Sequence, residues 1–159
     1  MLQRWDTYQH VIDSGGPDDG LDWTVELVRN VDWQEILIAE LDCEPIGVLQ
    51  IIDPHREVSH FFGDVEPNLR AIDIWIGPPE MLGRGHGTNM LRQALDRCFA
   101  TPDVTGVLID PLRNNDGAIR LYRRLGFTDD DELADDTDSL ILRLRRPDWV
   151  TPQMLQIHP

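Results

Sequence analysis

The alternation of apolar and polar residues is clearest between Ile72 and Tyr122, where strand-like and helix-like spacings succeed each other. Ile72–Ile76 is a short β-branched and aromatic run, which predicts a strand that ends at the Gly-Pro-Pro sequence of residues 77–79. A glycine-rich turn then precedes a predicted helix whose apolar positions recur with the spacing of one buried face. These positions are Met90, Leu91, Ala94, Leu95, Cys98 and Phe99.

A second strand and a second helix follow in the same order. Val107–Asp110 reads as a buried strand, and either Asn115 or Asp116 can cap the helix after it. Gly126 stands where the C-terminal cap of that helix belongs. The apolar face of this helix comprises Ala118, Ile119, Tyr122 and Leu125.

The remaining segments are predicted from shorter patterns. We expect an edge strand at Met1–Trp5, helices at Thr7–Asp13 and Leu21–Asn30, and strands at Ile36–Glu40 and Ile46–Ile52 that form a central hairpin. Further along, we expect a loop at Asp53–Asn68, an acidic loop at Asp129–Asp138, a last strand at Ser139–Arg145 and a tail from Pro147.

Composition restricts the class of partner. The 159 residues predict one domain that spans residues 1–159, and 14 basic against 29 acidic residues leave a formal net charge of -15. Nucleic acids and anionic membranes need basic patches, so this charge disfavours both as partners. The charge favours cationic small molecules, or it serves only to keep the protein soluble.

Location and redox state follow from what the sequence lacks. No apolar run reaches the roughly 20 residues of a membrane span, and no signal peptide is evident, so we predict a cytoplasmic protein. Cys43 falls in a predicted turn and Cys98 on a buried helix face, so both are expected to be reduced. The histidines show no metal-ligand spacing, and we predict no metal site.

The glycine-rich turn before the long helix is a predicted anion site. The first turn of a helix leaves backbone N–H groups without partners, and the helix dipole adds partial positive charge there. Glycines let the main chain approach a ligand closely, and Arg84 can add a charged hydrogen bond. The turn comprises Gly83, Arg84, Gly85, His86, Gly87 and Thr88.

This turn resembles the acyl-CoA pyrophosphate loop of the GNAT superfamily of N-acyltransferases. Gly85 and Gly87 match the glycines of the family pattern, whereas Leu82 departs from its Gln/Arg position. Residues 115–122, followed by Leu-Gly-Phe at 125–127, are similar to the second family signature. Within the superfamily the chain is most similar to aminoglycoside 6′-N-acetyltransferases, from about residue 44 to residue 127. The resemblance implies an α/β fold with a central, twisted, mixed sheet flanked by helices.

The resemblance also implies where acetyl-CoA binds as co-substrate. The pyrophosphate is expected on the amides of residues 83–88, and the acyl arm between the strand that ends at Ile76 and the strand that ends at Asp110. A free main-chain N–H near Ile76 or Gly77 is expected to meet the thioester oxygen. Further predicted contacts with the co-substrate are Ile74, Trp75, Asn115 and Tyr122, of which Asn115 is also explained as a helix cap.

The acceptor site is predicted from acidic residues. Asp73 lies in an apolar strand, where a carboxylate is costly unless it is paired or hydrogen-bonded. It is either a sheet-edge or salt-bridged aspartate, or a residue that binds the acceptor or acts as the general base. Asp110 either starts the turn before Pro111 or, by resemblance, binds the acceptor amine. Tyr122 is either a half-buried core tyrosine or, as the resemblance implies, the group that protonates the departing thiolate. In the acidic loop, Asp136 and Asp138 are predicted to bind the acceptor, against the alternative that the loop is only solvated.

We therefore predict an N-acetyltransferase that moves an acetyl group from acetyl-CoA to a primary amine of a small cationic molecule, such as the 6′-amine of an aminoglycoside. The alternatives are transfer to a siderophore precursor, a polyamine or a protein amino group, and a non-catalytic acyl-CoA-binding module. The predicted assembly is a monomer or a homodimer.

Overall fold

The computed structural model describes residues 1–15, 22–133 and 138–149. Its centre is a mixed sheet of six strands in the order β1-β2-β3-β4-β6-β5, in which β3 and β4 run parallel and the other neighbouring strands run antiparallel. The predicted fold class, a mixed sheet flanked by helices, is confirmed. The strands are β1 (Gln34–Leu41), β2 (Glu44–Ile52), β3 (Leu69–Ile76), β4 (Gly106–Ile109), β5 (Thr128–Asp129) and β6 (Leu142–Arg145).

Within the described residues, five α-helices and two short 3-10 helices surround this sheet. One long helix begins at His86, within the predicted glycine turn, so that residues 86–88 form its first turn. The other begins at the predicted cap, where the Asn115 side-chain oxygen accepts a hydrogen bond from the Ala118 N–H at 3.2 Å. Of the two possible caps, Asn115 is therefore the one used. The α-helices are α1 (Leu2–Trp5), α2 (Gln9–Asp13), α3 (Trp23–Glu26), α4 (His86–Ala100) and α5 (Asp116–Arg124); the 3-10 helices are Pro79–Met81 and Arg146–Asp148.

The two faces of β3 pack against different parts of the chain. Ile72 and Ile76 belong to the main core with α4 and α5, whereas Trp75 packs with the N-terminal aromatic residues Trp5 and Trp23. This alternation follows from the period of two along a strand. It confirms that Trp75, and Asp73 with it, point away from the three isoleucines of the same strand.

The N-terminal segment differs from its prediction. Met1–Trp5 is not an edge strand, because Leu2–Trp5 is a helix whose Leu2 and Trp5 side chains are both 5% exposed. The helix predicted at Thr7–Asp13 is confirmed as α2. The helix predicted at Leu21–Asn30 is shorter and consists of the four-residue α3. Asp22 is its N-cap, and the Asp22 side chain accepts a hydrogen bond from the Thr24 N–H.

The β1–β2 hairpin is confirmed, but its predicted central position is wrong. β1 is the edge strand, and β2 and β3 lie between it and the middle of the sheet. The two strands are joined at Asp42 and Cys43, whose φ angles of 51° and 65° are left-handed, and the Cys43 thiol is exposed. The predicted loop at residues 53–68 contains no helix or strand.

The C-terminal part contains more structure than predicted. Thr128 and Asp129 form the short strand β5 at the start of the predicted acidic loop, and the last strand is shorter than Ser139–Arg145. The predicted tail is wrong as far as Trp149, whose ring stacks on Phe99 with a centroid distance of 6.4 Å. Among the described residues, no helix combines the length and the apolar character needed to cross a membrane.

Candidate active site

A cleft opens where β3 and β4 separate. The two parallel strands pair from Leu69 opposite Gly106 to Ala71 opposite Leu108, and β3 then continues to Ile76 beyond the end of this pairing. A cavity of about 550 Å³ lies at this separation. That volume is within the range of small-molecule sites, which measure about 300–1,000 Å³.

The end of β3 presents its main-chain groups to two different neighbours. The Gly77 N–H donates to the Ile46 carbonyl at 3.0 Å, so the prediction of a free N–H is wrong for Gly77. Because N–H direction alternates along a strand, the Ile76 N–H and carbonyl point away from β2, towards the separation. The Ile76 carbonyl is 2.9 Å from Nε2 of His10. Since a carbonyl only accepts, His10 donates from Nε2 and holds this peptide from the side of α2.

Asp73, Asp110 and Tyr122 all line this cavity. Asp73 is half-buried on β3 and is paired in register with Gln50 of β2, and Asp110 follows the last residue of β4. Tyr122 is 7% exposed on α5 and belongs to the main core. Burial, and then the negative charges of Asp110 and Asp73, raise the pKa of the Tyr122 phenol. The phenol therefore keeps its proton at neutral pH and is a hydrogen-bond donor in a site lined by carboxylates.

The cavity extends to side chains that sequence reasoning did not single out. Glu26, Arg29 and Trp33 line it from the region around α3, and Glu57 and Phe61 line it from the loop after β2. No motif joins these residues to Asp73, because they are distant from it along the chain. On the α3 side, Trp23 packs against Trp75 of β3 with a ring-centroid distance of 6.0 Å, which brings α3 next to the strand of Asp73. The feature of the sequence that could have indicated them is the acidic and aromatic composition of the region around α3 and of the loop after β2.

The predicted anion-binding turn lies at the start of α4. Gly83 and Gly85 have φ angles of 70° and 83°, and a Cβ added at either would meet no atom within 4 Å. Gly85 is the N-cap residue and brings no side chain to the first turn of the helix, which has 15 residues. The remaining predicted contacts differ in exposure: Arg84 is exposed, whereas His86, Gly87 and Thr88 are half-buried. The turn thus offers open space in front of backbone N–H groups.

Other predicted residues lie apart from the cavity. Asn115 is occupied as the cap of α5. Asp138 is exposed and does not line the cavity, although its carbonyl accepts the Arg113 N–H at 2.8 Å and the next residue, Ser139, does line it. Asp136 lies outside the described residues. Within the described ranges, no group of three or more His, Cys, Asp or Glu side chains is arranged to hold a metal ion.

Residues 1–134 match the family model described as "Acetyltransferase (GNAT) domain". The chain belongs to the GNAT family of acetyltransferases. Among curated GNAT relatives, it is 30% identical over 135 residues to an aminoglycoside N(6')-acetyltransferase type 1 of Klebsiella pneumoniae, a match that covers 80% of the chain and 67% of the relative.

Solved GNAT structures support the same assignment. The aminoglycoside acetyltransferase AAC(6')-Ib in complex with coenzyme A and kanamycin has a TM-score of 0.80 and 26% identity, over 92% of this chain and 88% of that one. The same enzyme with paromomycin and acetyl-CoA has a TM-score of 0.76 and 25% identity, over 92% and 87% of the two chains. The predictions of an acetyltransferase and of acetyl-CoA as the co-substrate of its family are thereby confirmed.

Proposed function

We propose that this protein transfers the acetyl group of acetyl-CoA to a primary amine of a small polycationic molecule, with the 6′-amine of an aminoglycoside as the favoured acceptor. The observation that carries the proposal is the cavity at the separation of β3 and β4, because it is lined by Asp73, Asp110, Glu26 and Glu57. Four carboxyl groups around one cavity suit an acceptor with several ammonium groups. The aminoglycoside ligands of the relatives support the same class of acceptor.

We propose that the donor enters between the two separating strands. The first turn of α4 binds the pyrophosphate with its backbone N–H groups and its dipole, at the exposed Gly83 and Gly85. The acyl arm then runs along the side of β3 that faces the separation. At the end of that strand the Ile76 N–H donates to the thioester oxygen as negative charge develops there. His10 donates to the carbonyl of the same residue, which belongs to the next peptide unit, and so helps to hold the end of β3 in place.

The proposed reaction is a direct attack of the amine on the thioester. A carbon–nitrogen bond forms, the carbon–sulfur bond breaks, and the products are an amide and the thiol of coenzyme A. The acceptor amine must first lose a proton, and Asp73 is the proposed base that receives it, directly or through water. Holding the amine and the thioester together contributes up to roughly 7–11 kcal/mol in ideal models.

Tyr122 is the proposed donor to the departing sulfur. Its raised pKa keeps the proton on the phenol, but it also makes complete transfer to a thiolate unfavourable, because a thiol is ordinarily the stronger acid. The hydrogen bond itself is therefore its main contribution. The ammonium proton passes to Asp73 before the attack, and the nitrogen loses a second proton as the amide forms. That second proton neutralises the thiolate, so the new amide group and the thiol are both neutral. We accordingly assign the larger catalytic effect to Asp73 and the smaller one to Tyr122.

A coenzyme A thiol-release assay across a panel of amines tests this proposal. The panel comprises kanamycin, spermidine, L-lysine, an N-hydroxylated diamine and a peptide amino terminus. We expect kanamycin to have the highest kcat/KM, and Asp73→Asn to lower kcat by about 100-fold or more without loss of acetyl-CoA affinity. Asp103→Asn is the matched control, because Asp103 is exposed and does not line the cavity. Acetylation of another member of the panel in preference to kanamycin would contradict the acceptor assignment.

A further inference from the structure

The wall of the cavity near α3 contains a cation of the protein itself. Arg29 lines the cavity together with Glu26 and Trp33, and its guanidinium lies 3.4 Å from the Glu26 carboxylate. The same guanidinium carbon is 5.9 Å from the centroid of the Trp33 ring. A carboxylate and an aromatic face are two groups that bind alkylammonium ions as well as guanidinium ions. Glu26 and Trp33 thus form a cation site, which the side chain of Arg29 fills.

We propose that Glu26 and the Trp33 ring form a subsite for a second ammonium group of the acceptor, and that this group displaces Arg29 when the acceptor binds. The proposal rests on the proposed function, because it places the reacting amine near Asp73 and a second amine of the same molecule at Glu26. The cavity joins the two positions, since Asp73 and Glu26 both line it.

The burial of the two charged groups indicates which of them is the fixed part of the subsite. The Glu26 side chain is 11% exposed, whereas the Arg29 side chain is 42% exposed. A carboxylate with so little access to water needs a positive partner, but a half-exposed arginine does not need a negative one. Glu26 therefore stays in place, and Arg29 is the exchangeable member.

The contact between Glu26 and Arg29 is also loose. Charge-assisted hydrogen bonds to carboxylates measure about 2.7–2.9 Å, and the 3.4 Å separation here is longer. On its exposed arginine side the pair is also screened by water and salt, which lowers its contribution. A ligand ammonium that makes a direct hydrogen bond to Glu26 replaces a weak contact with a stronger one. Arg29 then has solvent on its outer side into which it can swing.

Displacement predicts a distinctive effect of removing the arginine. Arg29→Gln should lower the KM for kanamycin by about twofold to fivefold, because the acceptor no longer competes with an internal cation. Glu26→Gln should raise the KM for kanamycin by about tenfold, because it removes the negative partner of the second ammonium group. Once Glu26→Gln is present, Arg29→Gln should have no further effect on this KM.

A monoamine of the same ring type provides the internal comparison. Methyl 6-amino-6-deoxyglucoside carries one amine for the reacting position and none for the subsite, so neither substitution should change its KM. Arg123→Gln is the charge-matched control variant, because Arg123 is exposed, pairs with Asp129 at 3.1 Å and does not line the cavity. Trp33→Leu serves as a second subsite variant that leaves every charge in place, and it should raise only the KM for kanamycin.

Three results would overturn the subsite. Arg29→Gln could change the kanamycin KM no more than Arg123→Gln does, which would mean that Arg29 does not occupy a position that the acceptor needs. It could instead raise the KM for L-lysine, which would make Arg29 a ligand for acceptor carboxylates and favour amino-acid-like acceptors. Glu26→Gln could also affect the monoamine as strongly as kanamycin, which would place Glu26 at the reacting amine.

Calorimetry of kanamycin binding to the same variants separates the test of the subsite from the test of the proposed function. Circular dichroism checks that each variant is folded. If the parent protein binds kanamycin without acetylating it, the proposed function fails, and the order of the dissociation constants still decides the subsite. If the parent neither binds nor acetylates kanamycin, both proposals are wrong. If it acetylates kanamycin and the variants show no selective effect, only the subsite is wrong.

Discussion

Gly77→Ala is the substitution whose effect can be worked out most directly from the structure. A Cβ at this position would lie 2.0 Å from Cδ2 and 2.1 Å from Cε2 of the Trp5 indole, far inside van der Waals contact. The ring is 5% exposed and packs with Leu2 and Trp23, so it has no adjacent space to enter. The substitution must therefore push Trp5 out of its site or move the end of β3.

The size of the effect lies between two known limits. Overpacking of a core costs about 1–3 kcal/mol, and complete loss of a buried tryptophan or phenylalanine side chain costs about 3–5 kcal/mol. Trp5 is displaced but not deleted, so we expect Gly77→Ala to lower the free energy of unfolding by about 2–4 kcal/mol. For a chain of this size that corresponds to a fall in Tm of about 4–16 °C.

A double-mutant cycle measured by denaturant unfolding tests the cause. In a Trp5→Ala background the obstructing ring is absent, so Gly77→Ala should then cost less than about 0.5 kcal/mol, which implies a coupling energy of about 1.5 kcal/mol or more. Gly117→Ala is the matched control: a Cβ there has its nearest neighbour at 3.8 Å, and alanine in α5 should be neutral or stabilising by up to about 1 kcal/mol.

Two outcomes would refute this reasoning. Gly77→Ala could unfold at the same denaturant concentration as the parent, or it could lower the free energy of unfolding as much in the Trp5→Ala background as without it.

Gly77→Ala should also affect activity, because Trp5 and His10 belong to one short N-terminal segment and His10 donates to the Ile76 carbonyl. We therefore expect the Gly77→Ala protein that remains folded to have a reduced kcat.

Three further predictions concern the donor turn, the phenol and the buried thiol. Gly85→Asp should weaken acetyl-CoA binding by more than about tenfold in calorimetry, because it places a negative charge where the pyrophosphate is proposed to lie. Gly63→Asp is the control, since Gly63 is also at a left-handed position with open space and should leave the affinity unchanged. Equal affinities of the two variants for acetyl-CoA would contradict the donor site. Tyr122→Phe should lower kcat by about tenfold. The shape of the kcat profile below pH 10 should not change, because the pKa of Tyr122 is raised and the phenol does not ionise in that range. A fall in kcat towards high pH that is present in the parent and absent in the variant would contradict this. Burial raises the pKa of the Cys98 thiol from 9.0 to about 12, so its contribution to stability is present below pH 9 and is lost as the pH rises to 12. Cys98→Ala should therefore flatten the fall in unfolding free energy across that interval, and an unchanged slope would show that the thiol titrates alike in both states.

Segments with strong local patterns were predictable from the sequence. The six apolar positions of α4 are all buried, and the Asn115 cap and the left-handed Gly126 after α5 follow from side-chain and backbone preferences that act over a few residues. Such features need little help from the rest of the fold. The Asp42–Cys43 turn and the alternation of β3 are of the same kind.

Elements that depend on distant partners were not predictable in this way. The four residues of α1 are too few to be stable as an isolated helix, and their apolar side chains are held by Trp23 and by the bare backbone of Gly77. β5 has two residues and exists only through its pairing with β6. Glu26 and Arg29 reach the cavity because α3 is anchored by Trp23, which no spacing rule in the sequence encodes.

The hairpin turn at the edge of the sheet has a practical consequence for any experiment that counts thiols. Cys43 is exposed, whereas Cys98 is buried and has a pKa near 12, so a thiol reagent should titrate one equivalent per chain rapidly before any coenzyme A is released. Cys43→Gly should abolish that burst and also suit the backbone, because glycine adopts a φ of 65° without strain. Kept in place, the same thiol is a single attachment point for a fluorophore, on a turn that does not line the acceptor cavity.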